Sequence, residues 1–95
     1  GYAALRTDPG LAVSRAVVQV ASEAAGAPVI QVPTLGGSLP MSMFADAVGV
    51  PLIVVPIANH DNNQHAANEN LRLRNLRDGI ELYAFLMARL GAAWK

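Results

Sequence analysis

Ninety-five residues, just over half of them hydrophobic, suffice for one small core and not for two domains. Seven basic and seven acidic side chains leave no formal net charge, so no basic stripe exists to hold a phosphate backbone, and nucleic acid is not an expected partner. The absence of cysteine removes disulfides, zinc fingers and thiol nucleophiles together, and fits a cytoplasmic protein.

The chain opens Gly1-Tyr2-Ala3-Ala4-Leu5, which lacks a methionine and reads like the middle of a strand. Arg6, Asp8 and Pro9 then interrupt any apolar leader. Asp8 and Pro9 mark a helix start, and a helix is expected from about Leu11 to Ala25. Its apolar face is Val13, Ala16, Val17, Val20, Ala21 and Ala24, at three-four spacing. Gly26 suits the left-handed position that closes a helix.

Pro28 to Val32 is short, β-branched and bounded by prolines, and predicts a strand. The turn-rich stretch from Thr34 to Pro40 contains Gly36-Gly37-Ser38, with Ser38 as the expected N-cap of a second helix. That helix should end before Gly49. Pro51 to Ile57 is apolar on both faces, as a buried parallel strand should be. The run from Val48 to Ile57 is too short for a bilayer and is broken by Gly49 and Pro51, so no membrane partner is expected.

A polar loop follows from Ala58 to about Arg74. Asn75, with Asp78 three positions on, is the expected cap of a last helix reaching roughly Leu90. Leu76, Ile80, Tyr83, Ala84, Met87 and Leu90 should form its buried face. The order helix-strand-helix-strand-helix implies a βαβ unit, hence an α/β chain with a partial three-layer parallel sheet. Two strands, with a third at Tyr2 to Leu5, supply too few neighbours for so apolar a strand as Leu52 to Ile57. The expectation is therefore that residues 1–95 form the C-terminal part of a larger catalytic domain.

In open parallel sheets, ligands bind beyond the carboxyl ends of the strands. That topology would bring Gly36, Gly37 and Ser38 close to His60, Asp61 and His65. Glycines permit close approach of a ligand to the backbone, and a helix N-terminus favours a carboxylate or phosphate. An ordinary strand-to-helix turn has the same composition. The second loop gathers both histidines beside Asp61 and Glu69, which are zinc-ligand chemistries, although a metal site takes three or four ligands. A solvated loop could collect the same residues. The Gly-x-Ser-x-Gly elbow and the Gly-x-Gly-x-x-Gly phosphate loop are both absent. Arg72, Arg74 and Arg77 read as a solvated patch, with Glu69 and Asp78 as available partners. Trp94 reads as a docking side chain.

Taken together, Gly36-Gly37-Ser38-Leu39-Pro40, the segment Pro51 to Ile57 and His65-Ala66-Ala67-Asn68-Glu69 resemble the end of a known family. It is the aminoacylase, carboxypeptidase and dipeptidase superfamily of two-zinc peptidases, in particular its carnosinase-like dipeptidases. The likeness runs from Leu11 through the closing helix with Asp78-Gly79-Ile80.

The resemblance implies a metallopeptidase that cleaves a peptide bond with a zinc-activated water. It makes His65 the last zinc ligand, and Ser38 with the Gly36 and Gly37 backbone the contact for the terminal carboxylate of a peptide or dipeptide substrate. Asn68 and Glu69 match residues that shape the loop after the ligand, and His60 has no counterpart. Ala66 departs from the more polar residue often found there.

The family's His-x-Asp motif and Glu-Glu pair do not occur in this sequence. With one of the two-zinc ligands the chain is expected to be inactive alone, to hold no catalytic residue of its own, and to need the rest of the catalytic domain. The resemblance also makes the full-length enzyme a homodimer and residues 1–10 the return from a lid or dimerisation domain. Two other readings stay open on the residues themselves: a non-catalytic α/β anion-binding module, and a subunit whose site a partner completes.

Overall fold

Asp8 accepts a 2.7 Å hydrogen bond from the Gly10 backbone N–H on its side chain. Its carbonyl accepts another, at 2.8 Å, from the buried Ser14 hydroxyl. This turn feeds α1, Ala12–Ala25. The structure, a computed structural model, describes residues 1–37 and 39–95. Within them the elements are α1, α2 at Met41–Val48 and α3 at Leu73–Ala93. None of these helices is long and apolar enough to cross a membrane.

The ends of α1 and α2 follow local chemistry. Gly26 and Gly49 both close their helices at φ 67°, where a side chain is strained and glycine is not. The start of α2 differs from expectation, because its N-cap position is Pro40, with no side-chain cap, and the expected cap Ser38 lies outside the described residues. Helix α3 starts at Leu73 with Arg72 at the N-cap, ahead of Asn75. Asn75 uses its amide elsewhere, donating to the Ile57 carbonyl at 3.1 Å.

The expected α/β sheet is not formed. Among the described residues there is no strand, and the architecture is all-helical with long irregular connections. A β-strand needs a neighbouring backbone to take its N–H and C=O groups. Here side chains satisfy part of that need. The Leu52 carbonyl accepts from the Thr7 hydroxyl at 2.6 Å, the Val55 carbonyl from the Tyr83 hydroxyl at 2.7 Å, and the Ile57 carbonyl from Asn75. In the segment 28–32, the Val29 N–H donates to the Ser22 hydroxyl at 3.3 Å. A short apolar run cannot be told from a strand by its pattern alone, and residues 51–57 lie along helices instead.

The core sits between α1 and α3. Its buried apolar residues are Ala16, Val20, Ala21 and Leu86, the first three on the face of α1 expected from the spacing. Ala24, also expected there, is exposed. An Arg89–Glu23 ion pair at 3.5 Å ties the two helices at their rim, and the same guanidinium lies 5.4 Å from the Phe85 ring centroid.

The buried face of α3 is also not the expected one. Gly79 and Leu86 are buried, whereas Ile80, Tyr83, Ala84 and Met87 are exposed. Leu76 is 39% exposed and Leu90 half-buried. The cause is Gly79. A Cβ placed there would lie 2.7 Å from Ile57 Cγ2, so the Ile57 side chain occupies the space that any other residue would claim. The chain thereby packs against the glycine line of α3 and covers the larger apolar stripe only in part, Tyr83, Met87 and Leu90 bordering a groove shared with the 51–55 segment.

The resulting shape is a slab of 42 × 38 × 20 Å with a radius of gyration of 14.5 Å. A compact chain of this length would have a radius near 12 Å. All the large apolar side chains of α2, among them Met43 and Phe44, are left uncovered or only half-covered. α2 has no buried residue at all.

Candidate functional site: the Asn59 to Arg72 loop

Between the apolar segment and α3, the chain makes a polar loop whose two ends are tied by one buried side chain. Asn59, 5% exposed, sits where the apolar run stops. Its amide nitrogen donates to Asp61 Oδ1 at 2.8 Å and to Asn70 Oδ1 at 3.1 Å, and its oxygen accepts from the Arg72 N–H at 3.0 Å. One amide thus joins the start of the loop to the first residue before α3. An Arg72–Asp61 ion pair at 2.5 Å closes the same ring, and the Asn70 N–H donates to the Asn62 carbonyl at 2.9 Å.

Above this base the backbone turns sharply. Asn63, His65 and Asn68 have positive φ, at 53°, 63° and 61°. Asparagine and histidine are among the residues that tolerate this region, and its clustering in one loop means the tie at the base holds a backbone that would otherwise relax. The Asn62 side chain accepts from the Gln64 N–H at 3.0 Å and the Ala66 N–H donates to the Asn63 carbonyl at 2.9 Å, so the tip is built from successive turns. His65, at this tip, is exposed.

Asp61 is held below its ordinary value of 3.8 chiefly by the Asn59 amide; desolvation opposes this, and the hydrogen bond and charge of Arg72 add to the lowering. A depressed carboxyl contributes stability above its unfolded value and loses it as pH falls through the lower folded value. Loop protection in hydrogen exchange should therefore stay flat from neutral pH down to the ordinary carboxylate range, and fall only below it. Asp61→Asn should abolish that acid response. A loop that loosens near pH 6 instead would mean that a histidine, not Asp61, controls it.

The residues singled out from the sequence are only partly brought together. His60, Asp61, His65 and Glu69 share the loop, but among the described residues no group of three or more histidines, aspartates and glutamates is arranged to hold a metal ion. Among the described residues no complete metal centre is therefore assembled. Gly36 and Gly37 are exposed on a separate connection, and no hydrogen bond or ion pair among the described residues joins them to the loop. Their expected nearness to His65 rested on the carboxyl ends of two paired strands, and that sheet is absent. Ser38, the third member of that trio, lies outside the described residues.

An open groove of about 610 Å³ lies between the end of α1 and the start of α3, with Glu23, Pro56, Asn75, Asp78 and Glu81 among its lining residues. It contains no histidine and none of the glycine loop.

Sequence reasoning missed Asn59 and the Arg72–Asp61 pair. It did offer Asp78 as a partner for the arginine patch, and Arg74 takes it at 3.6 Å. The signal available for Asn59 was its position, the first polar amide after a continuously apolar segment. No protein-family model matches this chain, and no solved structure matches it significantly.

Proposed function

We propose that this chain serves a metal-dependent dipeptidase or related amide hydrolase, to which it contributes His65 as one metal ligand. The observation that carries the reading is the loop itself. A buried asparagine and an ion pair brace a left-handed turn whose outermost imidazole is exposed and uncommitted, an expensive way to hold a side chain that has no task. The order of Gly36-Gly37-Ser38, the apolar segment and His65-Ala66-Ala67-Asn68-Glu69 along the chain supports it.

In this reading His65 binds through one ring nitrogen while the loop fixes the ring's position. The glycine backbone at 36–37 receives the substrate carboxylate. The remaining ligands and the proton-transferring acid come from residues other than these, and zinc is the metal the donor chemistry favours. The same dependence on other residues keeps the partner-completed reading in play, and in both His65 has the same role.

The deciding experiment is dipeptide hydrolysis by the product of the complete reading frame, with zinc supplied, for the wild type and for His65→Ala. Loss of a metal ligand should reduce activity by more than the roughly 10–100-fold that outer-shell changes cost. Helicity should be unchanged, and the unfolding midpoint should fall only slightly, because the side chain is exposed but alanine is less at ease than histidine at the positive φ of this turn. Wild-type hydrolysis by the His65→Ala protein would sink the assignment.

A further inference from the structure

His65 stands on a loop whose polar ties are all its own. Among the described residues, no hydrogen bond or ion pair runs from residues 60–71 to any part of the chain outside residues 59–72. The three positive-φ residues, Asn63, His65 and Asn68, all lie between Asn62 and Asn70. The place of the imidazole therefore depends on what joins the two sides of that stretch.

Two rings join them, and Asn70 belongs to both. Its N–H donates to the Asn62 carbonyl at 2.9 Å, which closes an inner ring around the tip. Its Oδ1 accepts from the Asn59 amide at 3.1 Å, and Asn59 in turn accepts from the Arg72 N–H at 3.0 Å, which closes an outer ring at the base. The Asn70 amide also donates to the carbonyl of Asn68, one of the left-handed residues, at 3.0 Å. Left-handed backbone at three non-glycine residues is not what local preference selects, so an untied tip would spread over other conformations.

We infer that Asn59 and Asn70 are positioning residues, which make the turn of His65 before any ligand reaches it. They act on the imidazole through the backbone, since neither is hydrogen-bonded to it. Their role rests on the reading of His65 as a metal ligand. A metal that meets a finished turn spends none of its binding on ordering the loop. Where only a fraction of the molecules carries the competent turn, the apparent affinity falls by that fraction. Closing the loop and binding the metal are then linked, so each must favour the other in any variant whose loop is loosened.

Zinc binding by the product of the complete reading frame tests this, by competition with a chromogenic chelator. Hydrogen exchange across residues 59–72 is read alongside, with zinc and without it. In the wild type, zinc should change the exchange of residues 62–70 by less than about twofold, because the turn is already made. Asn59→Leu should weaken zinc binding by about tenfold, as for a loop competent in roughly one molecule in ten. Asn70→Ala, at an exposed position where folding is not at stake, should weaken it by about threefold. In both variants zinc should restore part of the lost protection, which a merely structural role would not produce.

Wild-type zinc affinity in variants whose loops exchange faster would overturn the inference and leave His65 a ligand. A wild-type loop that becomes protected only when zinc is added would overturn it as well. A wild type that binds no zinc would sink the metal reading and the inference together.

Discussion

Asn59→Leu is expected to lower the unfolding free energy by about 2–3 kcal/mol, although leucine is nearly the same size and more hydrophobic. The wild-type amide uses both ends, giving hydrogens to Asp61 and Asn70 and taking one from the Arg72 backbone. Leucine leaves all three partners without it. Those groups lie at the edge of solvent, which limits the loss, because water recovers part of each bond. The effect is still large against the roughly 5 kcal/mol expected at the low end for a domain of this length.

Urea unfolding followed by circular dichroism reads the free energy, and hydrogen exchange across residues 59–72 reads where it is lost. The exchange should rise throughout the loop and at the first turn of α3, because the same side chain holds both. An unchanged midpoint with an unprotected loop in the wild type would mean that Asn59 is a surface residue in solution.

Gly79→Ala is expected to destabilise the chain by up to about 2 kcal/mol, against the general rule that alanine improves a helix interior. The ordinary gain is about 1 kcal/mol. Opposing it, the new methyl would fall 2.7 Å from Ile57 Cγ2 and 2.8 Å from Ile57 Cβ. The second of these atoms is next to the backbone and cannot swing aside, so the 51–57 segment must move as a whole. Overpacking of this kind costs about 1–3 kcal/mol.

The explanation is checked by a double-mutant cycle with Ile57→Ala. Trimming Ile57 opens the space, so the pair of changes should cost at least about 1 kcal/mol less than the sum of the two alone. Additive effects would show that Gly79 and Ile57 do not touch. A stabilised Gly79→Ala chain would place the segment elsewhere, and with it the start of the loop that carries His65.

Both results concern contacts that no reading of the sequence supplies. The helices were legible because their signals are local. The apolar spacing of Val13, Ala16, Val20 and Ala21 predicts α1, and Gly26 and Gly49 mark the ends of α1 and α2 by the one conformation that other residues avoid. The polar loop was legible too, as the place where both histidines and most of the asparagines gather. Its brace was not, since Asn59 and Arg72 are thirteen positions apart and only folding brings them within 3.0 Å.

The strands at Pro28 to Val32 and Pro51 to Ile57 failed for a related reason. β-branched composition describes a segment's preference, while a strand exists only when a second backbone accepts its hydrogen bonds, and here Thr7, Asn75 and Tyr83 take that part. The sequence by itself therefore determined the helices, their glycine stops and the residues available for chemistry. The tertiary structure decided which side of α3 is buried, because packing selected the line through Gly79, where another segment can approach, over the stripe with the larger apolar side chains. It also decided that no hydrogen bond among the described residues joins Gly36 and Gly37 to the loop of His65, since there is no sheet whose edge would bring the two connections together.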